Sequence, residues 1–287
     1  MRRSACRPTS RRPSRSQTKW LRPARNPAYR YAMRILRWPF GRPASERGGF
    51  VLRRGVRAYA IGDVHGRRDL LELLLARMDA ERLADPRPED HVILLGDLID
   101  RGPESRGVID LLLERQGRDP ALTLLSGNHE EMLLAILNGD TAHLDRWLRF
   151  GGAACAASYG IDPHALGTMP TESARQQLLA AIPPTHLALL RGLRPYLVLG
   201  GYVFVHAGVR PGIPIERQLT RDLHWIRAPF LQSTADHGAM VVHGHSISDE
   251  PAILPNRIGV DTGAYATGRL TALCIDGAER RFLEVRG

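Results

Sequence analysis

The chain has 287 residues, which is long enough for one large α/β domain whose core is stable without covalent staples. No apolar run reaches the roughly 18 residues that a membrane-spanning helix needs, so no transmembrane segment is expected. The three cysteines, Cys6, Cys155 and Cys274, are odd in number and widely spaced. This pattern excludes a disulfide framework and a Cys-x-x-Cys metal site, and it favours the reducing environment of the cytoplasm.

The formal net charge of +10 originates in an N-terminal arm, residues 1–55. Residues 1–57 hold sixteen arginines and one lysine against a single acidic residue, so the remainder of the chain is acidic on balance. The arm is rich in Pro and Ser and has no hydrophobic periodicity, and we expect it to be disordered. An arm of this kind binds polyanions weakly, whether RNA, DNA or an anionic membrane. The alternative is that translation starts at Met33 and that residues 1–32 are an upstream extension.

The first half of the predicted domain, residues 56–287, alternates apolar runs with helical patterns. Strands are predicted at Val56–Ile61 and at residues 91–95 and 121–125. Leucine-rich or amphipathic segments predict helices at residues 67–83, 103–115 and 130–137. Apolar strands separated by helices are typical of an α/β sheet, in which polar residues gather at the carboxyl ends of the strands.

The pattern becomes largely helical between residues 138 and 195. This insertion contains Trp147, Phe150 and Tyr159 and a predicted helix at residues 175–181. Short apolar runs then predict the remaining strands, at Tyr196–Leu199 and Tyr202–Val205 and at residues 239–242, 258–260, 270–275 and 281–285.

Five strand ends carry polar residues framed by small residues. In chain order the segments are Gly62-Asp63-Val64-His65-Gly66, Gly96-Asp97-Leu98-Ile99-Asp100-Arg101-Gly102, Gly127-Asn128-His129-Glu130, His206-Ala207-Gly208 and His243-Gly244-His245-Ser246. Carboxylate, amide and imidazole groups are ligands for Mn²⁺, Fe, Zn²⁺ or Mg²⁺. Burying them at strand ends without a metal would be costly, so a metal site is predicted.

This ordered set of motifs resembles the metallophosphoesterase superfamily, and within it the bacterial phosphoprotein-phosphatase family that includes lambda-phage-type serine/threonine phosphatases. The resemblance extends over about residues 56–275. It implies an α/β calcineurin-like fold, in which two mixed β-sheets pack face to face with flanking helices. It also implies that residues 138–195 form a cap beside the metal site, whose sequence helps to choose the substrate.

The resemblance implies two divalent metal ions. Asp97 matches the carboxylate that bridges both ions, and Asp63 and His65 match ligands of the first. The residues that match ligands of the second are Asn128, His206 and His245. His245, rather than His243, matches by position because it directly precedes a small hydroxyl residue. The mixed ligand set favours Mn²⁺, with Fe or Zn²⁺ as alternatives.

The same resemblance implies roles for the remaining motif residues. His129 matches the general acid that protonates the leaving group, and Asp100 matches the residue that orients it. Arg101, Arg227 and Asn128 are expected to bind the phosphate group. The family hydrolyses phosphoesters by direct attack of a hydroxide that bridges the metals, so no serine or cysteine nucleophile is needed. Outside these roles, Glu130 is expected to cap the following helix.

Three functions remain open at this stage. The favoured one is a protein phosphatase acting on phosphoserine or phosphothreonine, because the segments 147–159 and 225–230 resemble that branch more closely. The alternative is symmetrical hydrolysis of diadenosine tetraphosphate, which a related branch performs with the same motifs. An inactive nucleic-acid-binding or scaffold protein is the third, although it predicts eroded motifs and none is eroded.

Overall fold

The structure, a computed structural model, describes residues 49–287. The predicted basic arm lies outside this range apart from residues 49–55, and so does the alternative start at Met33. Within the described range, no helix is both long enough and apolar enough to cross a membrane.

The described strands and helices alternate first and then separate into a helical and a strand-rich part. The strands are β1 Val56–Ile61, β2 Glu89–Leu94, β3 Leu122–Leu124, β4 Tyr196–Leu199, β5 Tyr202–Val205, β6 Met240–His243, β7 Ala252–Ile253, β8 Arg257–Gly259, β9 Arg269–Asp276 and β10 Glu279–Arg286. The α-helices are α1 Arg68–Ala84, α2 Ser105–Gln116, α3 Asn128–Leu137, α4 Leu144–Trp147, α5 Ala153–Ser158, α6 Pro163–Thr168, α7 Thr171–Ala181, α8 Pro184–Arg191, α9 Thr220–Trp225, α10 Ala228–Leu231 and α11 Ala264–Thr267. Two 3₁₀ turns lie at Thr141–His143 and Ile215–Arg217, and a kink at Gly151 interrupts the helical stretch Leu148–Gly152.

The first sheet has the strand order β10-β9-β1-β2-β3. Strands β1, β2 and β3 run parallel, and β9 runs antiparallel to both β1 and β10. Successive side chains of a strand point to opposite faces. Tyr59 and Ile61 of β1 therefore pack against the helices, whereas Ala58 and Ala60 face the second sheet.

The second sheet has the order β4-β5-β6-β8-β7. Its central strands β5, β6 and β8 are parallel, and the edge strands β4 and β7 are antiparallel to their neighbours. Tyr202 and Phe204 of β5 point toward the first sheet. Val205 points the other way, where it packs with Leu223 and Phe230 from the helices on the outer face.

The two sheets pack face to face through a shared apolar layer. Ala58, Ile93 and Leu273 of the first sheet meet Phe204 and Val242 of the second in this layer, and all are buried. Burying apolar side chains on both faces stabilises each sheet by roughly 25 cal/mol per Å² of surface removed from water. The predicted α/β fold, two mixed sheets packed face to face with flanking helices, is confirmed.

The helical insertion, residues 138–195, contains α4 to α8 and continues the core outside the first sheet. Leu166 and Leu178 of the insertion are buried in the same cluster as Val108 of α2 and Leu133 of α3. A kink within it lies at Gly151, whose φ of 119° is not helical. The insertion therefore packs against α2 and α3, two of the helices that begin just after the polar loops.

Helix α3 and strand β7 are two of the elements that differ from the sequence-based expectation. Helix α3 begins at Asn128, two residues before the predicted start at Glu130, so that Asn128 and His129 lie in its first turn. Strand β7 has only two residues and follows Pro251. A strand of two residues is too short to show an alternating pattern of side chains. Its pairing with β8 comes from the fold and not from its own side chains.

Candidate metal centre

The polar residues meet at the carboxyl ends of the parallel strands, where the loops bond directly to one another. The backbone N–H of His65 donates to the carbonyl of Asp97 at 2.8 Å, and that of Gly102 donates to the carbonyl of His65 at 3.0 Å. These bonds join the loop after β1 to the loop after β2. The carboxylate positions are therefore fixed by backbone contacts before any ligand binds.

Unusual backbone geometry is concentrated in these loops. Within residues 49–287, the non-glycine residues with positive φ are His65, Asp97, Asp100, Arg101 and His245. L-residues rarely adopt such angles, and strain of this kind tends to accumulate at functional sites, where the surrounding structure enforces it. All five positions belong to the candidate site.

Asp97 lies at the centre of the site and faces histidines on two sides. Its Oδ2 is 3.4 Å from Nε2 of His65, and its Oδ1 is 3.4 Å from Nε2 of His206. Gly127 lies against this carboxylate so closely that a Cβ there would overlap it. The carboxylate thus belongs to two groups of candidate metal ligands, one with His65 and His129 and one with His206 and His245.

His65 and Asp63 form one side of the centre. The Nδ1 of His65 lies 2.9 Å from the carbonyl of Ile99, so Nδ1–H donates to it and the lone pair of Nε2 points into the site. This Nε2 is 3.9 Å from Oδ2 of Asp63. Burial lowers the pKa of His65 to about 3, which keeps the ring in the neutral form that binds metals.

His206, Asn128 and His245 form the other side. Nδ1–H of His206 donates to the carbonyl of Leu95 at 3.0 Å, so its Nε2 faces the site. That nitrogen lies 3.0 Å from Oδ1 of Asn128 and 3.2 Å from Nδ1 of His245. Burial lowers the pKa of His206 to about 4 and that of His245 to about 2, so both rings are neutral at pH 7.

His243 does not join this group, although it precedes His245 by two residues. Its ring packs edge-on against Phe230 at 5.1 Å, and its Nδ1 lies 3.0 Å from the carbonyl of Gly244. The side chain points to the outer face of the second sheet, because β6 ends with His243 and the chain turns before His245. Of the two histidines, His245 has the position of a ligand.

The donor set suits divalent cations. Within residues 49–287, the Nε2 atoms of His65 and His245 are buried and make no hydrogen bond to another group. Leaving a buried polar atom unpaired is costly, and a coordinated cation would satisfy Nε2 of His65, which faces Asp97. The ring nitrogen of His245 that lies beside His206 is Nδ1. Asp63, Asp97 and Asn128 contribute oxygen donors beside these nitrogens, a combination that transition metals accept.

His129 is held by a second buried carboxylate. Its Nδ1 is 2.7 Å from Oδ2 of Asp100, and the indole N–H of Trp147 donates to the same oxygen at 2.9 Å. Burial alone would lower the pKa of His129, but Asp97 and Asp100 outweigh it and the pKa is raised above its ordinary value. The ring is thus oriented by Asp100, with Nε2 exposed to the site.

Two arginines face the site without a carboxylate partner. One guanidinium nitrogen of Arg101 lies 3.1 Å from Nε2 of His129. One guanidinium nitrogen of Arg227 lies 3.4 Å from the carbonyl oxygen of His245. Neither arginine forms an ion pair with any residue between 49 and 287. Unpaired guanidinium groups beside a buried polar site are suited to binding phosphate oxygens.

Tyr265 and Trp147 also contact residues of the site, although neither belongs to a sequence motif. The Tyr265 ring lies 4.6 Å from the guanidinium carbon of Arg101 and edge-on to His65 at 5.3 Å. Nothing in its local sequence indicates this, because α11 reaches the site only through the connection from β8 to β9. Trp147 lies in the helical insertion, and its hydrogen bond to Asp100 depends on the packing of α4.

Glu130 does more than cap its helix. Its carboxylate accepts the backbone N–H of Gly127 at 2.8 Å, as a capping residue does. It also accepts the N–H groups of Asp97, Leu98 and Ile99, at 3.0, 2.7 and 3.3 Å. One buried side chain therefore ties the start of α3 to the loop that carries the central carboxylate.

Comparisons with known proteins agree with this geometry. A family model described as calcineurin-like phosphoesterase matches residues 56–253. The asymmetrical bis(5'-nucleosyl)-tetraphosphatase PrpE of Anoxybacillus flavithermus is 26% identical over 74% of this chain and 88% of its own length. The symmetrical bis(5'-nucleosyl)-tetraphosphatase of Janthinobacterium sp. is 28% identical over 75% of this chain and 91% of its own.

A protein phosphatase matches over a shorter region. Serine/threonine-protein phosphatase 1 of Salmonella typhimurium is 37% identical, but the match covers 33% of this chain and 38% of that protein. Among solved structures, one described as a diadenosine tetraphosphatase covers 80% of this chain and 93% of its own, with 22% identity and a TM-score of 0.56. This structural likeness concerns the fold. Since the family model spans most of the chain and the fold agrees with it, the chain belongs to the calcineurin-like phosphoesterase family.

Proposed function

We propose that this protein is a metal-dependent hydrolase that cleaves dinucleoside tetraphosphates symmetrically into two nucleoside diphosphates. The observation that carries this proposal is the extent of the matches. Two relatives named as bis(5'-nucleosyl)-tetraphosphatases, one asymmetrical and one symmetrical, align with 74% and 75% of the chain, whereas the protein phosphatase aligns with 33%. Symmetrical cleavage is the mode proposed because further relatives with this activity in their names are symmetrical enzymes. This order reverses the preference for a protein phosphatase that the sequence segments suggested.

Six residues are proposed to hold two divalent cations. Asp97 joins the two sites, with Asp63 and His65 on one side. Asn128, His206 and His245 lie on the other side. When bound, the cations would supply Lewis-acid activation of water and neutralise charge on the phosphate oxygens. The mixed oxygen and imidazole donors favour Mn²⁺, with Fe or Zn²⁺ as alternatives.

Arg101 and Arg227 are proposed to bind the phosphate chain, as Asn128 would through its amide. Every phosphate of the chain is negatively charged, and these two arginines lack carboxylate partners among residues 49–287. A planar guanidinium can donate two parallel hydrogen bonds to one phosphate. These bonds fix the orientation of the phosphate, and the guanidinium charge balances the phosphate charge. Orientation of the scissile phosphorus lowers the barrier, because reacting groups no longer have to meet by diffusion.

His129 is proposed to give a proton to the leaving group from Nε2. In the structure this nitrogen faces Arg101 at 3.1 Å, and Nδ1–H is directed at Asp100. Once Arg101 turns to a phosphate, Nε2 is free to carry a proton. Asp100 then stabilises the charged ring, the function that a carboxylate has beside a catalytic imidazole.

Product analysis tests the proposed function. The enzyme is supplied with Mn²⁺ and given diadenosine tetraphosphate, a phosphoserine peptide or p-nitrophenyl phosphate, and the products are separated by ion exchange. We expect the dinucleotide to have the highest kcat/KM and ADP to be its nucleotide product. AMP with ATP would indicate asymmetrical cleavage, and a higher kcat/KM for the peptide would contradict the proposal. Chelator-treated enzyme is the control for metal dependence.

A phosphoprotein phosphatase is the second candidate. The specific observation in its favour is the local match to serine/threonine-protein phosphatase 1, which has higher identity than the longer matches do. The proposed roles of the metal ligands and of His129 would be the same. The two candidates differ in the leaving group, which is an alkoxide in a phosphoserine ester and a phosphate oxygen in a dinucleotide.

A further inference from the structure

An aromatic side chain is exposed next to the candidate phosphate-binding residues. Phe150 lies at a kink in the insertion, directly before Gly151, and 55% of its surface is accessible to solvent. A single exposed apolar residue is ordinary on a protein surface. The position of Phe150 is unusual because its neighbour in the chain packs directly against Arg101, a proposed phosphate ligand.

That neighbour is Gly151, which packs directly against Arg101. The carbonyl of Gly151 accepts the backbone N–H of Arg101 at 3.0 Å. A Cβ at Gly151 would lie 2.5 Å from Cγ of Arg101, so the two chains touch without an intervening side chain. Phe150 is therefore fixed one residue away from the contact with a proposed phosphate ligand.

Arg146 and Trp225 extend this surface toward the other arginine of the site. The guanidinium carbon of Arg146 lies 5.5 Å from the ring centroid of Phe150 and 5.5 Å from that of Trp225. Trp225 precedes Arg227 by two residues and is held by a hydrogen bond from its indole N–H to Glu131 at 3.0 Å. Phe150, Arg146 and Trp225, which we call the aromatic platform, thus connect the segments that carry both phosphate-binding arginines.

Arg146 has no competing ion pair. Within residues 49–287, no carboxylate oxygen lies within 4.0 Å of its guanidinium nitrogens. An exposed ring beside an unpaired guanidinium plane is the arrangement that stacks nucleobases, because both present flat faces and the cation adds to the attraction. Such stacking tolerates different bases, since every base has a π-face.

We propose that the aromatic platform stacks one nucleobase of the substrate, with Phe150 as the residue that distinguishes a nucleotide from a plain phosphoester. This inference rests on the proposed function and names the substrate-binding surface that goes with it. A phosphoprotein has no base to stack, so the platform would favour nucleotides over phosphopeptides. The adjacent Arg101 would hold the phosphate that belongs to the stacked nucleoside.

The test compares ADP with pyrophosphate as inhibitors of p-nitrophenyl phosphate hydrolysis. The two inhibitors carry the same diphosphate, so the ratio of their inhibition constants isolates the contribution of the nucleoside. In Phe150→Ser we expect the advantage of ADP over pyrophosphate to fall roughly 5- to 150-fold, the usual effect of removing one stacked ring. Phe150→Trp should keep the advantage. Leu83→Ser removes another exposed apolar side chain, at the far end of α1, and should change neither constant.

The outcomes separate the platform from the proposed function. An equal loss for ADP and pyrophosphate would mean that Phe150 acts only through Arg101, and it would overturn the inference. So would an unchanged ratio in Phe150→Ser. If the ratio falls but the wild-type enzyme does not hydrolyse diadenosine tetraphosphate, the platform stands as a nucleotide site and the proposed function fails. If the dinucleotide is hydrolysed, Phe150→Ser should raise its KM by the same factor as for ADP.

Discussion

At the scale of single residues, the geometry around Asp100 leaves one ring nitrogen of His129 to face the candidate site. Asp100 is fully buried and receives both the ring of His129 and the indole N–H of Trp147. Because one ring nitrogen of His129 is engaged in this way, only Nε2 can reach a substrate. The arrangement is that of a proton donor held in one orientation.

The substitution His129→Asn tests this assignment through the leaving group. We expect turnover of a phosphoserine peptide, or of another alkyl phosphate, to fall about 10²–10⁴-fold, the usual worth of a positioned general acid. The loss should be smaller for p-nitrophenyl phosphate, whose leaving group hardly needs a proton. Steady-state kinetics on both substrates measures the difference, and His143→Asn, at an exposed site, is the control. Equal losses on the two substrates would show that His129 is not the acid.

The sequence allowed some site residues to be predicted and concealed others for a physical reason. His206 directly follows β5, and Asp63 and Asp97 lie two and three residues after the ends of β1 and β2, so an alternating or apolar run indicates where each side chain must lie. Tyr265 lies in the four-residue helix α11, which reaches the site through packing, and a local pattern cannot reveal it. Glu130 was predicted as a helix cap, but its bonds to the loop after β2 depend on tertiary contact.

At the scale of elements, the helical insertion packs against the loop after β2, through Trp147 on Asp100 and through a close contact at Gly151. Gly151 has φ of 119° and lies against Arg101, whose own φ is 67°. A glycine at positive φ, which glycine adopts readily, therefore meets an arginine at strained positive φ at the boundary between the insertion and the proposed phosphate site. The sequence predicted a helical insertion between residues 138 and 195, but the contact with Arg101 could not be predicted, because it depends on the kink at Gly151.

A pair of glycine substitutions separates backbone strain from this contact. Gly151→Ala and Gly139→Ala both place a side chain at positive φ, which costs on the order of 1–3 kcal/mol of stability in each case. A Cβ at Gly151 would meet Arg101, whereas nothing lies within 4 Å at Gly139. We therefore expect both variants to have a lower melting temperature, but only Gly151→Ala to have a raised KM for p-nitrophenyl phosphate. Equal KM values would show that the contact does not position Arg101.

At the scale of the whole molecule, the chain combines a strongly basic arm with a domain that is acidic on balance. The motif residues lie between Asp63 and His245, outside the arm. The resemblance to the metallophosphoesterase superfamily implied the two-sheet fold, whereas the apolar runs and helical patterns indicated only an α/β sheet. Neither indicated β7, whose pairing depends on the sheet already present.

Deletion of residues 1–32 tests whether the arm contributes to catalysis. We expect kcat/KM for p-nitrophenyl phosphate to remain nearly unchanged, because the deleted residues contain no motif residue. Retention on heparin should be lost, since it depends on the arginines of the arm, and in the full chain it should decrease as salt rises. A large loss of turnover would show that the arm belongs to the catalytic domain.

The central claim is that Asp97 joins two cation sites, and elemental analysis of purified protein tests it most directly. After reconstitution with Mn²⁺ and removal of free ions, the wild type and His129→Asn should each retain two ions per chain. Asp97→Asn should retain fewer, because the shared charge is lost, while Asp140→Asn at an exposed site should match the wild type. Circular dichroism verifies that each variant is folded. Two tightly held ions in a folded Asp97→Asn variant would contradict the account.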